Sequence, residues 1–268
     1  MSTSLVQKVS ALSTSKVVFS DLKKQGKGGF LSFVNYKVND KSQRLIIQIP
    51  KMFSPFGAST YKKEELPKGQ LPKYNVGLSL DTTDKKIKAL KDFLLSLDKL
   101  ACKTAASNKD WLKQLSYKNK KKKSKDEVAE DLEDNKYSSI IKESRNEKYP
   151  DTFTPKVPID WKNSQPALQV YNKQKQKLDI TFDNIEQLLP KLSELKGLVQ
   201  VSHVWFVSGK FGITLKLLQA LSYPKETLSG LSLLDDSDDE EAESDEEEEE
   251  DDEESEVEVE SDDESDEE

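Results

Sequence analysis

Two kinds of side chain recur together in the first quarter of this sequence, flat aromatic rings and basic groups. Phe30, Phe33 and Tyr36 fall on one apolar run, and Phe53, Phe56 and Tyr61 come in the next loop. Lys23, Lys24, Lys27, Arg44, Lys51, Lys62 and Lys63 are interleaved with them, and Lys210-Phe211 repeats the pairing later in the chain. Cations follow the phosphates of a nucleic-acid strand while rings stack on its unpaired bases, each stacked base contributing ~1–3 kcal/mol whatever its identity. The combination suits a single strand, because a duplex keeps its bases inside and is read by a groove-entering module of which the sequence has no sign. Alternation along a strand lets only part of the set face a ligand. Phe30 or Phe33 is expected to fill the core. For Phe53 and Phe56, close to Pro50, Pro55 and Gly57, exposure and burial both stay open.

Catalytic chemistry finds no comparable support. The one histidine, His203, lies inside the apolar run VQVSHVWFV and reads as a core or hairpin residue. Zinc needs several Cys and His at fixed spacing, and the chain has one of each, Cys102 and His203. There is no GxSxG elbow and no GxxxxGK(S/T) phosphate loop, and Gly26, Gly28 and Gly29 lack the spacing of a dinucleotide fingerprint. Carboxylates in the body are too numerous to single out a pair. No catalytic residue, metal ligand or cofactor is expected. A lone cysteine fits a reducing, intracellular setting, and no run approaches the ~18 apolar residues of a membrane span.

The elements that must position these groups point to an α+β body. Residues 1–14 read as a loose leader. Residues 15–115 hold strand-like runs at Lys16–Ser20, Gly29–Val38 and Leu45–Ile49, with a basic loop from Lys23 to Gly29 and a turn at Asn39-Asp40-Lys41-Ser42. Met52–Tyr61 is expected to leave the sheet as an aromatic loop. Ile87, Leu90, Phe93, Leu94, Leu97, Leu100 and Ala101 recur at intervals of three and four, which predicts an amphipathic helix opened by Asp84. Residues 116–150, with the lysine run at Lys118–Lys125, read as an exposed insertion, either a localisation or phosphate-binding patch or a solvated linker. In 151–224, short strands and a helical turn at Asn184–Leu189 precede a hairpin, Leu198–Val207 and Phe211–Leu221, turning at Ser208-Gly209-Lys210. Many short strands with one inserted helix suit a mainly antiparallel, OB-like barrel.

Charge divides the chain in two. From Asp235 to Glu268 there are 26 Asp/Glu and no Lys or Arg, whereas residues 1–234 carry all 41 basic residues against 24 acidic ones, a net of +17. The basic body attracts polyanions, and the acidic stretch repels or imitates them. Residues 225–268 are expected to be disordered, since like charges at this density cannot pack. Ser237, Ser244, Ser255, Ser261 and Ser265 each have an acidic residue three positions on, the pattern of an acidophilic kinase site. The stretch could modulate access to the body, recruit partner proteins or act as a solubility device.

Two segments resemble paired signatures of a known family. Arg44–Tyr61 (RLIIQIPKMFSPFGASTY) and Val204–Ala220 (VWFVSGKFGITLKLLQA) are similar to a single-stranded-DNA-binding family of nucleocytoplasmic large DNA viruses. There, an apolar strand leads into a Pro…Pro-Phe-Gly loop, and an aromatic strand turns through Lys-Phe-Gly into the last strand. The resemblance implies an OB-fold core, single-stranded DNA as partner and a role in viral replication, recombination or repair. The chain would then act in the host nucleus or a cytoplasmic virus factory, or travel in the virion. It assigns no DNA-contacting residue. A packaging protein of the virion core, or an acidic chaperone of basic proteins, is the alternative.

Overall fold

The longest strands arise where β-branched and aromatic residues recur among polar ones, above all at Ser193–Val207 and Lys210–Tyr223. The computed structural model describes residues 6–26, 28–60, 66–67, 69–119 and 122–225. The chain divides into two units, Met1–Glu226 and Thr227–Glu268. The second, with the whole acidic stretch, lies outside the described residues.

Among the described residues, eleven strands join in one sheet: β1 (Val6–Lys8), β2 (Val17–Phe19), β3 (Lys23–Gln25), β4 (Gly29–Val38), β5 (Lys41–Gln48), β6 (Met52–Ser54), β7 (Tyr137–Ser138), β8 (Gln169–Tyr171), β9 (Lys177–Leu178), β10 (Ser193–Val207) and β11 (Lys210–Tyr223). Their order is β1-β5-β4-β10-β11-β8-β9, with β2 and β3 on β4, β6 on β10 and β7 on β11. The hairpins β4–β5 and β10–β11 turn on Asn39-Asp40 and Ser208-Gly209. All four residues have positive φ, the geometry that matches the twist of the flanking strands.

β10 organises the sheet. It pairs first with β6, then with β5, and over its last third with β4. Register shifts against β11 at Leu198/Val199 and Val201/His203 bend it through this change of partner. The bend does not close the sheet. β1 and β9 remain at opposite ends of the strand order, so the expected barrel is corrected to an open, curved sheet in a mixed α+β fold.

Besides three small sheets of two or three strands, the described residues form four α-helices: α1 (Lys85–Ser107), α2 (Lys109–Gln114), α3 (Lys125–Asn135) and α4 (Ile185–Leu188). The Asp84 side chain caps α1 by accepting from the N–H groups of Lys86 and Ile87. The stripe Ile87, Leu90, Leu94, Leu97 and Ala101 is buried, as its spacing predicts. Asn108 ends α1 and caps α2, which delivers Trp111 to the centre of the core. Trp111 meets Phe19 and Phe206 edge-on, with ring centroids 5.3 and 4.9 Å away. Phe206 stacks on Phe211 at 5.8 Å, and Phe211 meets Tyr137 at 4.9 Å. This line of rings ties β2, α2, β7 and both long strands together.

Several segments are more regular than their composition suggests. Within the expected insertion, α3 opens with a reciprocal Ser124–Glu127 capping box and buries Val128, Ala129 and Leu132. The segment after α3 is fastened by Asp98 of α1, only 3% exposed. Asp98 accepts from Tyr137 Oη, Ser139 Oγ and the Ile140 N–H at 2.5, 2.8 and 3.1 Å. Burial pushes its carboxyl pKa up to about 6 against the pull of these donors. Lys23–Gln25, expected as loop, is β3; Met52–Ser54, also expected as loop, is β6, and after Pro55–Gly57 the segment Ala58–Thr60 pairs with Tyr74–Val76 in a separate two-stranded sheet. Val6–Lys8 of the expected leader pairs in parallel with β5. No helix among the described residues is long and apolar enough to cross a membrane.

Candidate nucleic-acid interface

Residues directly opposed on neighbouring strands point to the same side of a sheet. By this rule, Phe33 of β4, His203 of β10 and Thr214 of β11 form one row of a face. Leu31, Trp205 and Gly212 form the next. Lys23 joins this face opposite Leu31, and Arg44 joins it opposite Asn35. The other side is the core, where Ser32, Val34, Val204 and Phe206 are buried; on the first face Phe33 is 40% exposed, while Leu31 and Thr214 are buried. Phe33 and Trp205 are diagonal neighbours, about 7–8 Å apart at the backbone.

The side chains are arranged by specific contacts. Lys23 Nζ stands 5.2 Å from the Phe33 ring centroid, a cation–π contact that holds a charge over an exposed ring. The Trp205 ring lies across Gly212: a Cβ at that glycine would stand 2.9 Å from Trp205 Cζ2 and 2.9 Å from the Ser138 carbonyl oxygen. Gly212 is therefore the seat of the ring. At the edge of β11, Lys156 bridges Lys216, its backbone bonded to the Leu215 carbonyl and the Leu217 N–H. Burial, then the charges of Lys73 and Lys216, lower the Lys156 pKa. Burial, then Lys216 and Lys156, lower that of His203 to about 4, so its imidazole is neutral at neutral pH. No carboxylate of a described residue contributes to either shift, and Lys73, Lys156 and Lys216 form no ion pair with another described residue. Cations gathered without counter-ions among the described residues make a seat for an anion.

The residues singled out in the sequence divide three ways. Lys23 and Arg44 lie on this face. Lys24 is exposed but on the opposite side of β3, and Lys210 is exposed at the start of β11. Lys51 and Phe53 lie at the far end of β10, where Phe53 opposes Glu194, roughly 35 Å along the strand from Trp205. Lys51 Nζ is 2.6 Å from Glu194 Oε2 and 5.5 Å from the Tyr223 ring centroid. Phe53 and Phe56 are 43% and 60% exposed. Three aromatic assignments are corrected. Tyr36 is fully buried, its hydroxyl donating to the Ala11 carbonyl and accepting from the Ser13 N–H. Phe211 is fully buried in the line of rings. Phe30 is half-buried against the core. Lys27, Tyr61, Lys62, Lys63 and the serines at 237, 244, 255, 261 and 265 lie outside the described residues.

Sequence reasoning missed Phe33, His203, Trp205, Lys73, Lys156 and Lys216 as a group. The sequence counts Phe33 among the interleaved aromatics and leaves the choice between it and Phe30 for the core open, and His203 reads there as a core or hairpin residue. The alternation of β4 carried a usable signal, since Phe33 differs in parity from Phe30 and Tyr36 and so belongs to the opposite face.

The chain matches no protein-family model and no curated protein. It is similar to the single-stranded DNA-binding protein from bacteriophage Enc34, with a TM-score of 0.39 and 14% identity over 83% of this chain and 98% of that one. A C-terminal truncation of the Enc34 protein gives a TM-score of 0.34 at 13% identity, over 80% of this chain and 98% of that one. It is also similar to gp2.5, a single-stranded DNA-binding protein encoded by bacteriophage T7, with a TM-score of 0.44 and 13% identity over 71% of this chain and 98% of that one. At these scores the likeness is one of partial backbone course, and no residue's role is taken from it.

Proposed function

We propose that the body of this chain binds single-stranded DNA, without catalysis, on the outward face of β4, β10 and β11. The observation that carries this is the placing of Phe33, His203 and Trp205 on one face among Lys23, Arg44, Lys156 and Lys216. Two successive unpaired bases stack on Phe33 and Trp205, and phosphates follow the cations. A neutral His203 between the rings adds a flat, uncharged surface to the platform. Unpaired bases expose the faces that such rings need, which paired bases inside a duplex do not. Val204–Ala220, one of the two segments that resemble the viral single-strand-binding family, contains Trp205, Gly212 and Lys216. On that resemblance the protein serves viral DNA replication, recombination or repair in the nucleus or virus factory of the host cell. The acidic residues 235–268 act through charge, modulating DNA access or recruiting partner proteins.

The test is fluorescence anisotropy with a labelled single strand and the matching duplex, for the intact protein and for Trp205→Ala. Tighter binding to the single strand, lost in the variant by about 5- to 150-fold, is expected from one stacked base. Equal or tighter binding to the duplex at physiological salt refutes the proposal and favours a packaging role.

A further inference from the structure

Beside Trp205 the face falls into a recess of about 310 Å³. It exists because the outer edge of β11, before it reaches β8, is shared between Tyr137–Ser138 opposite Phe211–Gly212 and Lys156 opposite Lys216. The interval between them, around Ile213 and Thr214, is left as a gap that Asn75 walls by bridging Lys156. Asn75, Thr154, Thr214 and Trp205 line the gap, with Lys142 and Lys156.

The chemistry of this lining is unspent among the described residues. The Asn75 amide, the Thr154 and Thr214 hydroxyls and the Trp205 indole N–H form no hydrogen bond with another described residue. Lys142 and Lys156 have no carboxylate partner among those residues. Polar groups in a concave site that lack protein partners are satisfied by water or by a ligand. The space equals roughly ten waters at about 30 Å³ each. It lies at the lower end of the range for small-molecule sites. An inorganic anion alone would engage the lysines and leave the ring, the amide and the hydroxyls idle. A nucleotide uses all of them.

We propose that this recess holds one nucleotide of the bound strand, its base against Trp205, its edge hydrogen-bonded by Asn75 and Thr154, and its phosphate at Lys142 and Lys156. The inference rests on the single-strand reading and adds to it a position at which base identity matters. Stacking tolerates any base, whereas an amide presenting a donor beside an acceptor favours edges that present the complement. The interface therefore has one discriminating subsite on an otherwise sequence-tolerant face.

The experiment measures Kd for labelled dT, dC and dA 20-mers with the intact protein and with Asn75→Ala, Thr154→Val and Trp205→Ala, over a salt series. Circular dichroism melting tracks folding of each variant. The intact protein should separate its best and worst homopolymer by about 5-fold or more, the size of one directed base contact. Asn75→Ala or the isosteric Thr154→Val should shrink that spread to about 2-fold or less with the salt slope kept. A spread absent in the intact protein, or unaltered in both folded variants, overturns the nucleotide subsite. If Trp205→Ala leaves every Kd unaltered, the fault lies instead with the face as the DNA site.

Discussion

Replacing Lys216 by Met keeps an unbranched stem on β11 and removes one charge from the face. If Lys23, Arg44, Lys156 and Lys216 each neutralise one phosphate, single-strand binding should follow a log–log salt slope of about −2.8, at about −0.7 per phosphate. Affinity then falls about 600-fold between 50 and 500 mM salt. For Lys216→Met the slope becomes about −2.1 and the fall about 130-fold over the same interval. The two binding curves should converge at high salt, because the lost contribution is electrostatic. Anisotropy titrations at five salt concentrations measure this directly. Lys216 also acts on His203, so the variant should raise the imidazole pKa from about 4, as followed by NMR of the ring protons. That second readout reports whether the charge was beside the face at all. A raised histidine pKa with an unaltered salt slope would refute the phosphate role while upholding the geometry. A loss of affinity equal at all salt concentrations would refute it too, because it would place the effect in folding or packing.

Phe211→Ala should lower stability by about 3–5 kcal/mol in urea unfolding, because Phe211 is fully buried between Phe206 and Tyr137. Phe33→Ala should instead weaken single-strand binding by about 5-fold or more with a melting temperature close to that of the intact protein. The raised pKa of Asp98, about 6, means that the folded state binds a proton more tightly than the unfolded chain does. Its contribution to stability is therefore present at pH 4 and lost as pH rises through 6, by about 3 kcal/mol at most. The difference in unfolding free energy between the intact protein and Asp98→Asn should shift in that direction between pH 4.5 and 7.5, and a constant difference would refute it. Truncation at residue 234 should tighten single-strand binding at low salt if the acidic stretch modulates access, and unchanged affinity would leave it as a docking or solubility element.

Part of this was legible because local periodicity and local burial agree. The α1 stripe reads directly off Ile87, Leu90, Leu94 and Leu97, and its cap off Asp84. The last hairpin reads off its flanking apolar runs and Gly209, whose positive φ the turn requires. The face was not legible, and β10 shows why. Strict alternation through VQVSHVWFV puts Val199, Val201, His203 and Trp205 on one side, so the histidine and tryptophan inherit the burial of the valines. The register shift between Val201 and His203 reverses the parity. Val199 and Val201 face the core before it, and Val204 and Phe206 face the core after it. A bulge leaves no mark in composition, because Ser202 is as ordinary in a strand as in a bulge. Lys73 and Lys156 were hidden for another reason. They reach the site from two separate loops, both well before β10 in the chain, which no window along the sequence joins to it.

The bulge also explains how one strand serves both the core and the face. Before it, β10 pairs with β5 and turns Lys196 and Gln200 outward; after it, β10 pairs with β4 and turns His203 and Trp205 outward. The buried Val204 and Phe206 alternate with the outward pair, so the line of rings through Trp111 and Phe211 anchors the strand immediately beneath the platform. That anchorage opposes a specific cost. Burial first, and then the charges of Lys73 and Lys216, lower the Lys156 pKa, and that repulsion would relax if the edge of β11 frayed. Apolar packing on one side of the sheet thus holds like charges together on the other. Under the proposed function, a bound phosphate strand relieves the repulsion. DNA binding and resistance to unfolding are then thermodynamically linked, since a ligand that binds only the folded state stabilises it in proportion to the logarithm of its concentration over Kd.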